Sequence, residues 1–181
     1  MGQSGSEWTE GAEASPEEDG FVFCGESNHS VDSKKRVFVP KRFQQGLPMD
    51  SQGSRVAVLT RGLDGCLYLF PEKGFNRAIK RLNTEAFASK QDLRLQRLVF
   101  SVSQRITLDG SGRLLLPTKL VEMAAIGKDV VMVGVMDRVE IWSAARWTEF
   151  TQANSAADDD AGYDELEQLL SGAFGTDGGR S

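Results

Sequence analysis

The sequence predicts an α+β fold, mainly a small β barrel with short helices, in which two pseudo-symmetric copies of one unit each supply a half. Three observations predict it. Val31-Asp32-Ser33-Lys34-Lys35-Arg36-Val37-Phe38-Val39-Pro40-Lys41-Arg42-Phe43 returns as Leu108-Asp109-Gly110-Ser111-Gly112-Arg113-Leu114-Leu115-Leu116-Pro117-Thr118-Lys119-Leu120, and the Asp, Arg and Pro positions all repeat at an offset of 77. Leu67-Tyr68-Leu69-Phe70, followed by Phe75, lines up with Val139-Glu140-Ile141-Trp142, followed by Trp147, at an offset of 72. Between these landmarks, apolar runs alternate with Gly- and Asp-rich turns in the same order twice. Two copies at a fixed spacing imply a pseudo-two-fold axis.

Taken in order, Phe21-Val22-Phe23-Cys24 is expected as a short opening strand. Each Asp-to-Arg segment is a turn, because Asp, Ser and Gly favour such bends. Arg36 then leads into Val37-Phe38-Val39 and Arg113 into Leu114-Leu115-Leu116; three apolar residues in a row suggest a strand buried on both sides. Pro40 and Pro117 have a preset φ and no N–H, which suits a helix start. Short helices are expected over 41–45 and 118–125, with Gly46 and Gly127 as left-handed caps.

Strands follow over 55–60 and 65–70, joined by Gly62-Leu63-Asp64-Gly65, and over 129–133 and 138–142, joined by 134–137. Phe75, Ile79 and Leu82 recur at helical spacing over 74–83, and Ser143 can cap a helix presenting Trp147 and Phe150. Over 90–102, Leu95, Leu98, Val99 and Val102 form a helical stripe expected to dock one unit on the other. The chain thus divides into an acidic, disordered extension (1–20), a first unit (21–83), a linking helical segment (84–104), a second unit (105–152) and an acidic, mostly disordered tail (153–181), in which Tyr163, Leu166, Leu169 and Leu170 could form a turn or two of amphipathic helix.

Charge is distributed in the same blocks. The formal net charge is −5. Residues 1–20 and 153–181 each carry −6, leaving +7 on 21–152. A basic body suits an anionic partner such as double-stranded DNA. The acidic ends either serve solubility or compete with phosphates for the basic surface, in which case removing them raises affinity for random DNA at low salt.

Arg36 and Arg113 are the leading candidates for contact. Guanidinium is planar, always charged and bidentate, which suits phosphate or the O6/N7 edge of guanine. Lys34, Lys35, Lys41 and Arg42 surround the first copy, and Arg105 and Lys119 the second, as phosphate contacts. Asp32 and Asp109, four residues before each Arg, are read as turn scaffold, accepting backbone N–H bonds or pairing with the Arg. The competing reading makes each Arg a structural ion pair.

Other chemistries are poorly supplied. Cys24, Cys66 and the lone His29 fit no metal-ligand spacing. Both thiols are expected reduced and buried, and His29 to be a polar residue near a strand. There is no phosphate-binding loop, no dinucleotide fingerprint and no nucleophile–histidine–acid set. Two Asp turns suggest an aspartic-protease dyad, but neither Asp is followed by Thr/Ser-Gly and cations crowd both turns. No enzyme, cofactor, metal or small-molecule substrate is expected. With no apolar run long enough to span a membrane and an acidic N-terminus, the chain is expected in the cytoplasm.

The paired Asp-x-x-x-Arg turns, each followed by three apolar residues and Pro, resemble those of the MraZ family of bacterial transcriptional regulators, within the wider AbrB-like, swapped-hairpin, double-split β-barrel DNA-binding proteins. The resemblance covers about 21–152. It implies an internally duplicated double-split β-barrel that regulates the division and cell-wall gene cluster, associated with the nucleoid, as a ring-shaped homo-oligomer on repeated promoter boxes. It implies Lys34, Arg36 and Arg113 as DNA contacts. The family's first turn usually has Gly before the Arg, where this chain has Lys35, so that turn is expected to be shaped differently. Ser111 stands where a Lys is common, and the acidic N-terminal extension is also unusual. The alternative from another class is a basic-faced protein-interaction or scaffold module.

Overall fold

The structure, a computed structural model, describes residues 21–80 and 89–156. The acidic ends, Leu82 and the apolar residues of the tail lie outside the described residues. Eight strands and five helices follow in order: β1 (Phe23–Ser30), β2 (Arg36–Phe38), α1 (Lys41–Gln44), β3 (Val56–Arg61), β4 (Leu67–Phe70), α2 (Glu72–Ile79), α3 (Lys90–Phe100), β5 (Gln104–Thr107), β6 (Arg113–Leu115), α4 (Thr118–Met123), β7 (Asp129–Met136), β8 (Arg138–Ser143) and α5 (Ala144–Ala156). Six strands form one antiparallel sheet in the order β1-β7-β8-β4-β3-β5, and β2 and β6 form a separate ribbon.

The order shows the duplication directly. Strand β7 of the second unit's β7–β8 hairpin pairs with β1 of the first unit, while β3 of the first unit's β3–β4 hairpin pairs with β5 of the second. The units therefore exchange their leading strands, so neither half is made by one unit alone. At the sheet centre Tyr68 pairs with Glu140, its own equivalent at offset 72. In the ribbon Val37 pairs with Leu114, its equivalent at offset 77. The pseudo-two-fold axis passes through both pairs.

The sheet and ribbon enclose one core. Val37, Val39, Leu114 and Leu116 of the ribbon segments join Leu59, Leu67, Leu69, Val130, Met132, Val139 and Ile141 of the sheet, with Phe43 and Leu120 from α1 and α4 as matching plugs. Each such side chain contributes roughly 1.5–3 kcal/mol on burial. Outside the sheet, Trp142 packs against Trp147 and Phe150 of α5, with ring centroids 5.5 and 5.2 Å away, and Ser143 Oγ accepts from the Arg146 N–H as the expected cap.

Several expectations are corrected. The opening strand starts later and runs to Ser30, because eight residue pairs with β7 hold its polar half in place. The three-residue apolar runs are buried on one side: Phe38 and Leu115 point outward from a ribbon packed on a single face. Gly46 and Gly127 are not left-handed; after α4 it is Ala125 that takes φ 49°. Gly46 is small instead because a Cβ there would meet the Phe21 and Phe23 rings. Strand β7 continues through Gly134, so the hairpin turn shrinks to Met136-Asp137, with Met136 at φ 52°. Cys24 is exposed, and Cys66 is buried with its thiol pushed up to about 12 by that burial. No residue within α3 is buried, and of the expected stripe Leu95 and Leu98 stay exposed while Val102, just past the helix, enters the core. No helix among the described residues is long and apolar enough to cross a membrane.

Candidate nucleic-acid interface

Each Asp-to-Arg turn is closed by the same four bonds. Asp32 N–H donates to the Arg36 carbonyl (2.8 Å) and Lys35 N–H to the Asp32 carbonyl (2.9 Å). Asp109 N–H donates to the Arg113 carbonyl (2.9 Å) and Gly112 N–H to the Asp109 carbonyl (2.8 Å). Asp32 Oδ1 accepts the N–H groups of Lys34 and Arg36 at 2.8 and 2.9 Å. Asp109 Oδ1 accepts those of Ser111 and Arg113 at 3.0 and 2.9 Å. The two turns therefore share one shape, and the different shape expected for the first is not found. Lys35 adopts φ 59° where Gly112 has 75°. A left-handed Lys costs roughly 1–2 kcal/mol, which four converging bonds can hold.

The other carboxylate oxygen of each Asp faces its arginine. Asp32 Oδ2 accepts from Arg36 Nε and Nη2, both at 2.8 Å. Asp109 Oδ2 accepts from Arg113 Nε at 2.8 Å, and Arg36 Nη1 stands 3.9 Å from it across the axis. The two guanidiniums thus sit side by side on one face. Backbone N–H bonds from Arg36 and Arg113, then their guanidiniums, hold the two carboxyls below the usual carboxylate range against the opposing effect of partial burial. Asp32 and Asp109 each bond two backbone N–H groups of their own turn and the side chain of their own arginine. Arg36 keeps 29% of its side-chain exposure and Arg113 36%, so both remain reachable.

The helices beside the turns are exchanged, like the strands. Lys35 Nζ donates to Thr118 Oγ1 at the start of α4 (2.9 Å), and Lys35 C=O accepts from Leu116 N–H. Gln44 of α1 lies against Gly112, whose carbonyl accepts from Val39 N–H. Lys41 is exposed at the start of α1, the helix whose Gln44 lies against Gly112 of the second turn. Pro40 and Pro117 occupy the caps of these helices in extended conformation. Lys34 is exposed and, with Ser33 and Lys35, lines a groove of about 620 Å³ closed by Gln104, Ile106 and Leu115.

Three of the sequence candidates stand apart from the turns. Arg42 donates to the Glu26 carbonyl of β1 at 2.7 Å, with its guanidinium over the Phe43 ring. Arg105 pairs with Glu72 of α2, on the face of β5 opposite Gln104 and Ile106. Lys119 lines a different groove, with Leu63 of the β3–β4 hairpin and Leu98 of α3. His29 bonds Ser27 Oγ through Nε2 at 2.7 Å, and burial, then Arg42, lowers its pKa.

The sequence reading missed Phe38 and Leu115, which share the ribbon's outer face with the arginines. Polarity gives no signal for it, since all three residues after each Arg are apolar; only the strand's side-chain alternation puts Phe38 and Leu115 on the arginines' side. Among the described residues no group of His, Cys, Asp or Glu could hold a metal ion.

The family model described as "MraZ protein, putative antitoxin-like" matches residues 22–98 and again 99–166. A protein named transcriptional regulator MraZ from Symbiobacterium thermophilum is 41% identical over 128 residues, covering 71% of this chain and 88% of the relative. Others of that name from Clostridium tetani (38% over 133 residues, covering 74% and 89%) and Clostridium acetobutylicum (34% over 148 residues, covering 82% and 99%) are similar over most of both chains.

Proposed function

The chain belongs to the MraZ family, and from that premise we propose that it is a sequence-specific, double-stranded DNA-binding transcriptional regulator. The observation that carries this reading is the pair of Asp-clamped arginines on the outer face of one two-stranded ribbon. A two-stranded ribbon fits the major groove, and a guanidinium held by a carboxylate keeps its planar fork aimed before DNA arrives. Lys34 and Lys35, both exposed on the first turn, supply phosphate contacts, with Lys41 at the start of α1. Arg42, Arg105 and Lys119 contribute only to the general basic field.

One ribbon offers few contacts, and few phosphate contacts give weak, salt-sensitive binding. A ring of copies engaging direct repeats raises the effective concentration. The reading therefore includes a ring-shaped homo-oligomer on repeated promoter boxes, with the division and cell-wall gene cluster as its target and the nucleoid as its place of action.

Gel shifts and footprinting on the fragment upstream of the chain's own gene test it. Arg36→Ala and Arg113→Ala are each expected to weaken specific binding about 10- to 100-fold, the value of a good bidentate base contact, with oligomer size unchanged. Binding is expected to fall steeply as boxes are removed or respaced. Equal retention of all sequences, or none, favours a basic-faced interaction module instead. Unfolding or loss of assembly in either variant would make that arginine structural.

A further inference from the structure

The ribbon's outer face carries more than charge. Side chains alternate along a strand, so Val37 and Leu114 enter the core while Arg36, Phe38, Arg113 and Leu115 share the outside. The register sets Arg36 opposite Leu115 and Arg113 opposite Phe38. Phe38 keeps 38% of its exposure and Leu115 57%. Both are supported from beside: the Phe38 ring lies 6.1 Å from that of His29 on β1, and Leu115 lines one groove with Ile106 on β5. A single exposed apolar side chain needs no explanation. Two at axis-related positions, interleaved with two clamped guanidiniums, form a pattern.

We propose that Phe38 and Leu115 are specificity-determining residues that pack on the 5-methyl groups of thymines in the DNA major groove, beside the bases met by Arg36 and Arg113. The proposal rests on the DNA-binding reading above. The major groove is about 12 Å wide and accepts such a ribbon, and its one apolar landmark is the thymine methyl. Charge complementarity selects this occupant over an apolar protein groove. The face is bracketed by Lys34, Lys35, Arg36 and Arg113, and its two acids, Asp32 and Asp109, are committed to the arginines. A polyanion with methyl groups between its phosphates matches both halves of that pattern.

The full-length chain is used to enrich binding sites from a pool of random duplexes. The enriched duplex is then compared with versions in which single thymines are replaced by deoxyuridine, which removes the methyl and nothing else. For the unmutated protein, replacement at a contacted thymine is expected to weaken binding about fourfold, the value of one buried methyl. Phe38→Ala is expected to abolish that discrimination at one set of thymines and Leu115→Ala at another, with the salt dependence unchanged. Lys34→Ala should instead reduce the salt slope by about 1 and leave thymine discrimination intact. Equal binding of thymine and deoxyuridine duplexes by the unmutated protein overturns the proposal while leaving DNA binding in place. So does a wild-type discrimination ratio retained by both apolar variants. A pool that yields no enriched sequence overturns the DNA-binding reading itself, and the proposal with it.

Discussion

Lys35 and Gly112 occupy the same place in the two turns, yet substitution at them has opposite consequences. Lys35 bears a Cβ at φ 59°, a conformation glycine adopts without cost. Lys35→Gly is therefore expected to raise stability by about 0.5–1 kcal/mol in urea unfolding, net of the lost bond to Thr118. Gly112→Ala adds that cost and pushes into Gln44, whose Nε2 would lie 2.2 Å from the new Cβ while it is bonded to the Val39 carbonyl. A loss of about 1–2 kcal/mol is expected. The carboxylates titrate in a defined window. Their folded pKa values lie below the ordinary value of 3.8, so their stabilisation is complete above that value and is lost as pH falls through the lower folded values. Asp32→Asn and Asp109→Asn are expected to be less stable at neutral pH and to show a shallower decline on acidification, read from unfolding midpoints between pH 7 and 2.5. At this scale the sequence is legible where chemistry repeats: the Asp–Arg pairing follows from four-residue spacing written twice. It is misleading at Lys35, because a preference against left-handed Lys is smaller than the bonds that enforce the turn.

Among the elements, β1 shows how a partner overrides local preference. Its second half, Glu26-Ser27-Asn28-His29-Ser30, has the composition of a loop, and the strand exists because β7, a hundred residues on, pairs with all of it. Gly134 lets the two backbones close: a Cβ there would stand 2.4 Å from the Cys24 nitrogen. Gly134→Ala is expected to cost about 1–3 kcal/mol and to raise amide exchange in β1 before the central strands. The sequence marks Gly134 as a turn because glycine signals a bend as readily as a close approach. Helix α3 is the converse case. Its periodicity is readable, and a capping box of Ser89 with Asp92 starts it, but amphipathicity states only that a face is apolar. It does not state what lies against it, and here Leu95 and Leu98 stay exposed.

For the whole molecule, two repeat offsets were enough to locate the symmetry, and the structure places the axis through the very residues those offsets equate. Which strand pairs with which is not contained in periodicity; the exchange of β1 and β5 comes from the resemblance and is realised in the sheet order. It has a measurable outcome. Neither half can complete its sheet alone, so fragments 1–88 and 89–181 are each expected to lack a cooperative thermal transition and to gain one on equimolar mixing, followed by circular dichroism. A cooperative transition in either isolated fragment would contradict the exchange.

The fusion of two units into one polypeptide also frees them from identity. A dimer of separate chains must present matching hands, whereas here the first turn holds Lys34 and Lys35 and the second Ser111 and Gly112. The face consequently has a head and a tail. Anything laid across it meets more positive charge at one end than at the other, and reversing it end for end is no longer a neutral operation.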